Sequence, residues 1–174
     1  MTDPHALETP SAWVARFAPL IPPTGTVLDL ACGAGRHTCL LAALGYSVLA
    51  VDVDVSRLGG VAHLPGVSVL QTDLENAPWP FDRQRFAGIV VVNYLHRPLL
   101  PRLLAALESG GVLIYETFAR GNERFGRPSN PDFLLQPEEL IAAVQGKMRI
   151  VAYEDLLVSE PKPAALQRIC AVRL

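Results

Sequence analysis

Three carboxylates close three successive apolar runs: Asp29 in "TVLDLA", Asp52 in "YSVLAVD" and Asp73 in "VSVLQTD". Directly after the first comes "ACGAGRHT", in which Gly33 and Gly35 flank an alanine. Glycines at that position let the backbone turn sharply and come close to a ligand. A dinucleotide cradle needs GxGxxG, and here Thr38 stands where the third glycine belongs. The phosphate-loop pattern, GxxxxGK followed by Ser or Thr, has no match. Asp29 is expected to point its carboxylate into the glycine loop, where it would repel a pyrophosphate and suit a cationic amine or a sulfonium. A carboxylate in the place of Asp52 grips ribose hydroxyls by accepting two hydrogen bonds. One in the place of Asp73 can meet an adenine amino group. Together the three acids describe an adenosine with a cationic tail.

A second set of reactive side chains follows the fourth and fifth apolar runs. "NYLHRP" carries Asn93, Tyr94 and His96, and "VLIYETFA" carries Glu116. His96 and Glu116 are candidate bases. A helix cap for His96 and an arginine salt bridge for Glu116 are equally open readings. The segment "FARGNERFGRPSNPDFLLQ" is long for a connection of this kind and reads as a lid over 120–136. It holds Arg120, Arg124 and Arg127 with Asn122 and Asn130. Arginine forks suit carboxylates and phosphates, so Arg120, Asn122 and Arg127 are expected to touch an anionic small acceptor. The bland alternative is a solvated loop whose arginines pair with Glu116, Glu123 or Asp132.

The elements that must position these residues alternate along the chain. Strands are expected over 26–31, 46–52, 67–73, 86–95 and 112–119. A leading helix lies within 1–22, and helices are expected over 35–45, 97–111 and 137–146, with a weak one over 55–66 interrupted by Gly59 and Gly60. Two final strands, "MRIVAYEDLLV" and "LQRICAVRL", are joined by a short proline-rich link and should pair antiparallel. This is an α/β chain with a doubly wound, mostly parallel seven-stranded sheet and an antiparallel edge hairpin. Ligands of such sheets sit at the carboxyl ends of the strands, near the switch in strand order.

Composition narrows the classes. The chain has 174 residues, half of them apolar and 18% charged, which fits a single globular domain over 1–174. A net charge of -2 gives no basic field for nucleic acid or anionic lipid. No apolar run approaches the ~20 residues of a membrane span, and "MTDPHALETP" has no signal-peptide pattern. Three cysteines without CxxC suggest a reduced, cytoplasmic protein without a structural metal. A monomer or homodimer acting on a small molecule, without nucleic acid or membrane, is expected.

"VLDLACGAG", "VLAVDVD", "QTDLEN", "FAGIVVVNYLHRP" and "SGGVLIYETF" resemble, in order, the motifs of class I S-adenosylmethionine-dependent methyltransferases. "GAGRHTCLLAALGYSVLAVDVD" is further similar to the small tellurite-resistance-type members. The resemblance implies a Rossmann-like fold, S-adenosylmethionine as cofactor and S-adenosylhomocysteine as product. It implies that Asp29, Gly33 and Gly35, with Ala31 between them, line the methionine and ribose end. Asp52 would hold the ribose with Val53 beside it, Asp73 and Leu74 would flank the adenine, and Asn93 and Tyr94 would border the methyl group. Tyr94, His96 and Glu116 are the catalytic candidates. The rival readings are an NAD(P)-dependent enzyme and a cofactor-binding protein without transferase activity.

Overall fold

Phe86–Val92 is buried at every position, as a strand must be when helices cover both faces of its sheet. In the structure, a computed structural model describing residues 8–174, this strand is β4 of a seven-stranded sheet. The others are β1 (Thr26–Leu30), β2 (Ser47–Asp52), β3 (Val67–Gln71), β5 (Leu107–Phe118), β6 (Met148–Val158) and β7 (Ala164–Arg173). Their spatial order is β3-β2-β1-β4-β5-β7-β6. β1 to β5 run parallel, and β7 is antiparallel to both β5 and β6, which bears out the expected edge hairpin. The order reverses between β1 and β4, so their carboxyl ends open the crevice where a ligand belongs.

Side-chain alternation divides the core in two. Val27, Val48, Val90, Val112 and Ile114 pack with α1 (Ala12–Phe17) and α2 (Arg36–Ala43) on one face. Leu28, Leu30, Ile89, Val91, Leu113 and Tyr115 pack with α3 (Leu100–Ala106) and α4 (Glu139–Val144) on the other. Gly88 is small because Ile21 lies against it: a Cβ there would sit 2.8 Å from the isoleucine Cδ1. Among the described residues no helix is long and apolar enough to cross a membrane.

Several boundaries differ from expectation, the main ones for local reasons. Residues 1–7 of the expected leading helix lie outside the described residues. From there Ser11 caps α1, its Oγ accepting from Trp13 N at 3.1 Å, and the helix tightens into a 3-10 turn over Ala18–Leu20. β3 stops at Gln71 because the Asp73 carboxylate takes the N–H groups of Glu75 and Asn76 and turns the chain. β4 stops before Asn93, whose left-handed φ of 56° ends extended backbone. The helix expected to run to Gly111 ends at Ala106. Leu107 pairs with Phe86, and Gly111 passes so close to the Phe86 carbonyl that a Cβ would lie 3.0 Å from it. The paired glycines therefore form an irregularity of β5 rather than a helix stop. The weak helix over 55–66 is a 3-10 segment, Val55–His63, kinked at Gly59.

Candidate functional site

The loop from β1 to α2 is built from three left-handed residues, Ala31, Gly33 and Gly35, with φ of 56°, 56° and 84°. It is pinned to β2 twice: Cys32 N donates to Val51 O at 3.0 Å, and Gly33 N donates to Asp52 Oδ2 at 2.8 Å. The two glycines differ in what surrounds them. A Cβ on Gly35 would lie 2.7 Å from Leu58 Cδ2 and 2.9 Å from Val61 Cγ1, so this glycine lets the 3-10 segment pack on the loop. A Cβ on Gly33 would meet none of the described residues within 4 Å, its chain neighbours apart. Gly33 therefore faces open space, at the carboxyl end of β1 and beside the Asp52 carboxylate.

Asp29 corrects its expectation. Its carboxylate does not reach into the loop; it lies buried beneath it, accepting from Thr38 Oγ1 at 2.5 Å. Thr38, the residue in place of the third glycine, is thus the partner of the first acid and ties β1 to the first turn of α2. Burial pushes the Asp29 carboxyl up to about 7, against the hydrogen bonds from Thr38. The neighbouring Cys32 thiol is pushed up to about 12, again by burial, with Asp29 and Asp52 adding to the rise, so it is no nucleophile.

The preceding residue of α2, His37, accepts from Ser11 N through Nε2 at 3.1 Å, and burial holds its imidazole down at about 4. The signs of the two groups oppose. His37 favours the fold fully above its ordinary value near 6.5, and that stability is lost as pH falls toward 4. Asp29 favours the fold below its ordinary value near 3.8, and that stability is lost as pH rises through about 7. We expect Asp29→Asn, which keeps an acceptor for Thr38, to unmask the histidine. The variant should gain stability at pH 8 and lose roughly 2–3 kcal/mol between pH 6.5 and 4 in urea melts, more than the parent chain loses. Parallel profiles for the two proteins would remove this assignment.

The other strand-end residues fall into two groups. Asp52 is half-buried, with Oδ1 accepting from Asp54 N at 3.0 Å, and Val53 beside it is 60% exposed. Asp73 turns the chain after β3, its carboxyl held below the usual range mainly by Asn76, and Leu74 packs on the core. Asn93 is exposed, its N–H donating to Glu116 O at 2.9 Å. Tyr94 is half-buried, its hydroxyl donating to Glu75 Oε1 at 3.3 Å. His96 caps the turn Arg97–Leu99 with its backbone carbonyl only; its side chain makes no capping bond.

Thr117, Phe118, Asn93, Tyr94 and Leu95 line a cavity of about 240 Å3 at the ends of β4 and β5, its wall completed by Glu75, Pro128 and Phe133. Glu116 is absent from this wall. Strand alternation turns it to the opposite face, where Oε2 pairs with Arg168 Nη1 at 3.1 Å and Oε1 accepts from Ser11 Oγ at 2.8 Å. The salt-bridge reading of Glu116 holds, and the arginine comes from β7 rather than from the long segment. Glu116 is therefore corrected from a base facing the acceptor to a buried anion under the N-terminal segment.

The long segment closes on itself. Ala119 bridges Leu135, and Arg120 N donates to Leu135 O at 3.0 Å. The Arg97 guanidinium holds it from below, donating to Asp132 O at 2.6 Å, to Leu134 O at 2.8 Å and to both oxygens of Glu139. Asn122 is buried inside it, its amide donating to Pro128 O at 2.9 Å and accepting from Ala165 N at 3.2 Å. Those bonds leave Asn122 with a structural task in place of the expected substrate contact. Arg120 and Arg127 are exposed and are not among the cavity's walls, so the anionic acceptor expected from them has no support in the geometry. Thr38, Glu75, Thr117, Arg97 and Arg168 escaped sequence reasoning. Only Thr38 had a usable signal, its place in the glycine pattern.

Residues 27–111 match a family model described as a methyltransferase domain. The chain is similar to the trans-aconitate 2-methyltransferase of Paracidovorax citrulli (strain AAC00-1), 34% identical over 96 residues that make up 50% of this chain and 36% of the relative. Among solved structures it is similar to TehB from Haemophilus influenzae, at a TM-score of 0.75 and 17% identity, covering 93% of this chain and 61% of that one. It is also similar to the glycopeptide N-methyltransferase MtfA solved with S-adenosylhomocysteine, at a TM-score of 0.64 and 19% identity, covering 93% and 89%. NodS, an N-methyltransferase from Bradyrhizobium japonicum WM9, gives 0.67 and 17%, covering 91% and 92%. The chain thus spans about a third of the curated relative's length.

Proposed function

We propose that this chain, a class I methyltransferase by fold and by motif, binds S-adenosylmethionine over the Ala31–Gly35 loop and transfers its methyl group to a small molecule in the cavity beside Tyr94. The observation that carries the reading is Gly33: a left-handed glycine with open space before it, hydrogen-bonded to the carboxylate that ends the adjoining strand. The residues present fit the cofactor. Asp52 would take the ribose hydroxyls, Val53 would lie beside them, and Asp73 with Leu74 would flank the adenine. Ala31, Gly33 and Gly35 would border the methionine end, and Asn93 and Tyr94 the methyl group. The dinucleotide alternative has less support, because Thr38 occupies the third glycine position and bonds the buried Asp29. Relatives solved with S-adenosylmethionine or its product support the same choice.

When bound, the cofactor supplies an activated methyl group on a sulfonium, so transfer is an in-line displacement. The chain's own work is to align a nucleophile and exclude water. The bridged 120–136 segment, which contributes Pro128 and Phe133 to the cavity wall, would serve as the cover. Three unpaired thiols, at Cys32, Cys39 and Cys170, suit a reducing cytoplasm.

Titration calorimetry tests the reading. S-adenosylmethionine and S-adenosylhomocysteine should bind and NADH should not, and Asp52→Ala should weaken both ligands at least about tenfold, on the scale of a lost charge-assisted hydrogen bond. Binding of NADH without either sulfur ligand would overturn it.

A further inference from the structure

The cavity beside Tyr94 has one charged wall, and that wall is negative. Of the residues lining it only Glu75 is acidic or basic, and the Tyr94 hydroxyl donates to it at 3.3 Å. The field around it has the same sign: Glu75, Asp73 and Asp52 all act on Tyr94, adding to burial in raising its hydroxyl above the ordinary range. The remaining walls are the rings of Phe118 and Phe133, Pro128, Leu95 and the hydroxyl of Thr117. At about 240 Å3 the space is smaller than the ~300–1,000 Å3 usual for ligand sites. An anionic acceptor would meet a carboxylate there and no cation. A cation would meet a carboxylate and aromatic faces, both attractive.

Resting on the function proposed above, we infer that the acceptor is a small amine and that Glu75 is the residue that receives it. The amine arrives as an ammonium ion and hydrogen-bonds to the Glu75 carboxylate, which takes one of its protons and passes it to water. The freed nitrogen lone pair then forms the N–C bond while the C–S bond breaks. That electron pair leaves with sulfur, giving the neutral thioether and a methylated ammonium product. Tyr94, hydrogen-bonded to Glu75, orients the carboxylate and walls the path.

The test uses the full chain and three probes of one skeleton: phenethylamine, 2-phenylethanethiol and 3-phenylpropanoate. Ligand-observed NMR measures binding to the free chain, and release of S-adenosylhomocysteine measures turnover. The amine should bind at least tenfold more tightly than the carboxylate, and Glu75→Gln should erase that preference. The same variant should keep S-adenosylmethionine affinity within about twofold and lose at least tenfold in kcat/KM for the amine. Preference for the carboxylate or the thiol, or an amine preference that survives Glu75→Gln, overturns the inference. Failure of S-adenosylmethionine to bind overturns the cofactor assignment instead, and the binding preference still decides the cavity.

Discussion

Replacing Gly33 with valine should abolish S-adenosylmethionine binding, raising its Kd at least a hundredfold by calorimetry, while costing the fold only about 1–2 kcal/mol. The two effects separate because of where the glycine sits. Its φ of 56° is the left-handed conformation, which a branched side chain adopts at a cost, yet Ala31 holds the same conformation two residues earlier and carries a Cβ. Among the described residues, its chain neighbours apart, no atom lies within 4 Å of a Cβ at Gly33, so the new methyl groups would strain mainly their own backbone. They would stand in the space before the loop, and they would move the N–H that Asp52 accepts. Gly35→Val should do the reverse. Its Cβ would collide with Leu58 and Val61, and the loss should appear as overpacking of the 3-10 segment and a lower melting temperature. A Gly33→Val protein that binds the cofactor like the parent chain would place the cofactor elsewhere.

The motifs around this loop were legible because they are local. Asp29, Gly33, Gly35 and Asp52 lie within one strand-helix-strand unit, β1 to β2, and a strand, a turn and a helix leave a readable order of apolar, small and polar residues. The sheet was legible for the same reason: each of the seven expected strands became a strand close to its expected place. Which face a residue takes was not legible in β5. Val112 to Thr117 is buried at every position, so there is no alternation to show whether Glu116 or Thr117 faces the cavity. A shift of one residue exchanges them, and the structure gives the cavity to Thr117 and the ion pair to Glu116.

Long-range polar pairs were hidden for a different reason. Ser11 reaches His37 across 26 positions and Glu116 across 105, and Arg168 reaches Glu116 across 52. No spacing rule connects such residues. The same holds for the long segment, whose composition pointed to its own arginines. Its backbone is held by Arg97 from the turn after β4, because carbonyls that lack strand or helix partners need donors from elsewhere. Arg36 and His37 gain a role in this way. Arg36 donates to Thr9 O at 3.1 Å while His37 accepts from Ser11 N, so the helix that follows the glycine loop also fastens the N-terminal segment.

Arg168→Leu should destabilise the protein by about 3 kcal/mol, which for a chain of this size is a drop of roughly 6–12 °C in Tm. The guanidinium joins three groups: Nη1 lies 3.1 Å from Glu116, Nη2 lies 2.5 Å from Glu154, and its carbon lies 4.8 Å from the centre of the Trp13 ring. Glu154 is open to water and can do without its partner, whereas Glu116 is 7% exposed and cannot. Leucine would keep much of the packing on Trp13 and leave the Glu116 charge buried with only the Ser11 hydroxyl to meet it. The cost is therefore that of an uncompensated charge more than of a lost attraction. Glu116→Gln in the Arg168→Leu background distinguishes the two: the amide oxygen still accepts from Ser11 and the buried charge is gone, so the double variant should recover most of the lost stability. Recovery in the double variant is the expected pattern. Equal melting curves for the single and double variants would assign the arginine's contribution to its contact with Trp13 instead.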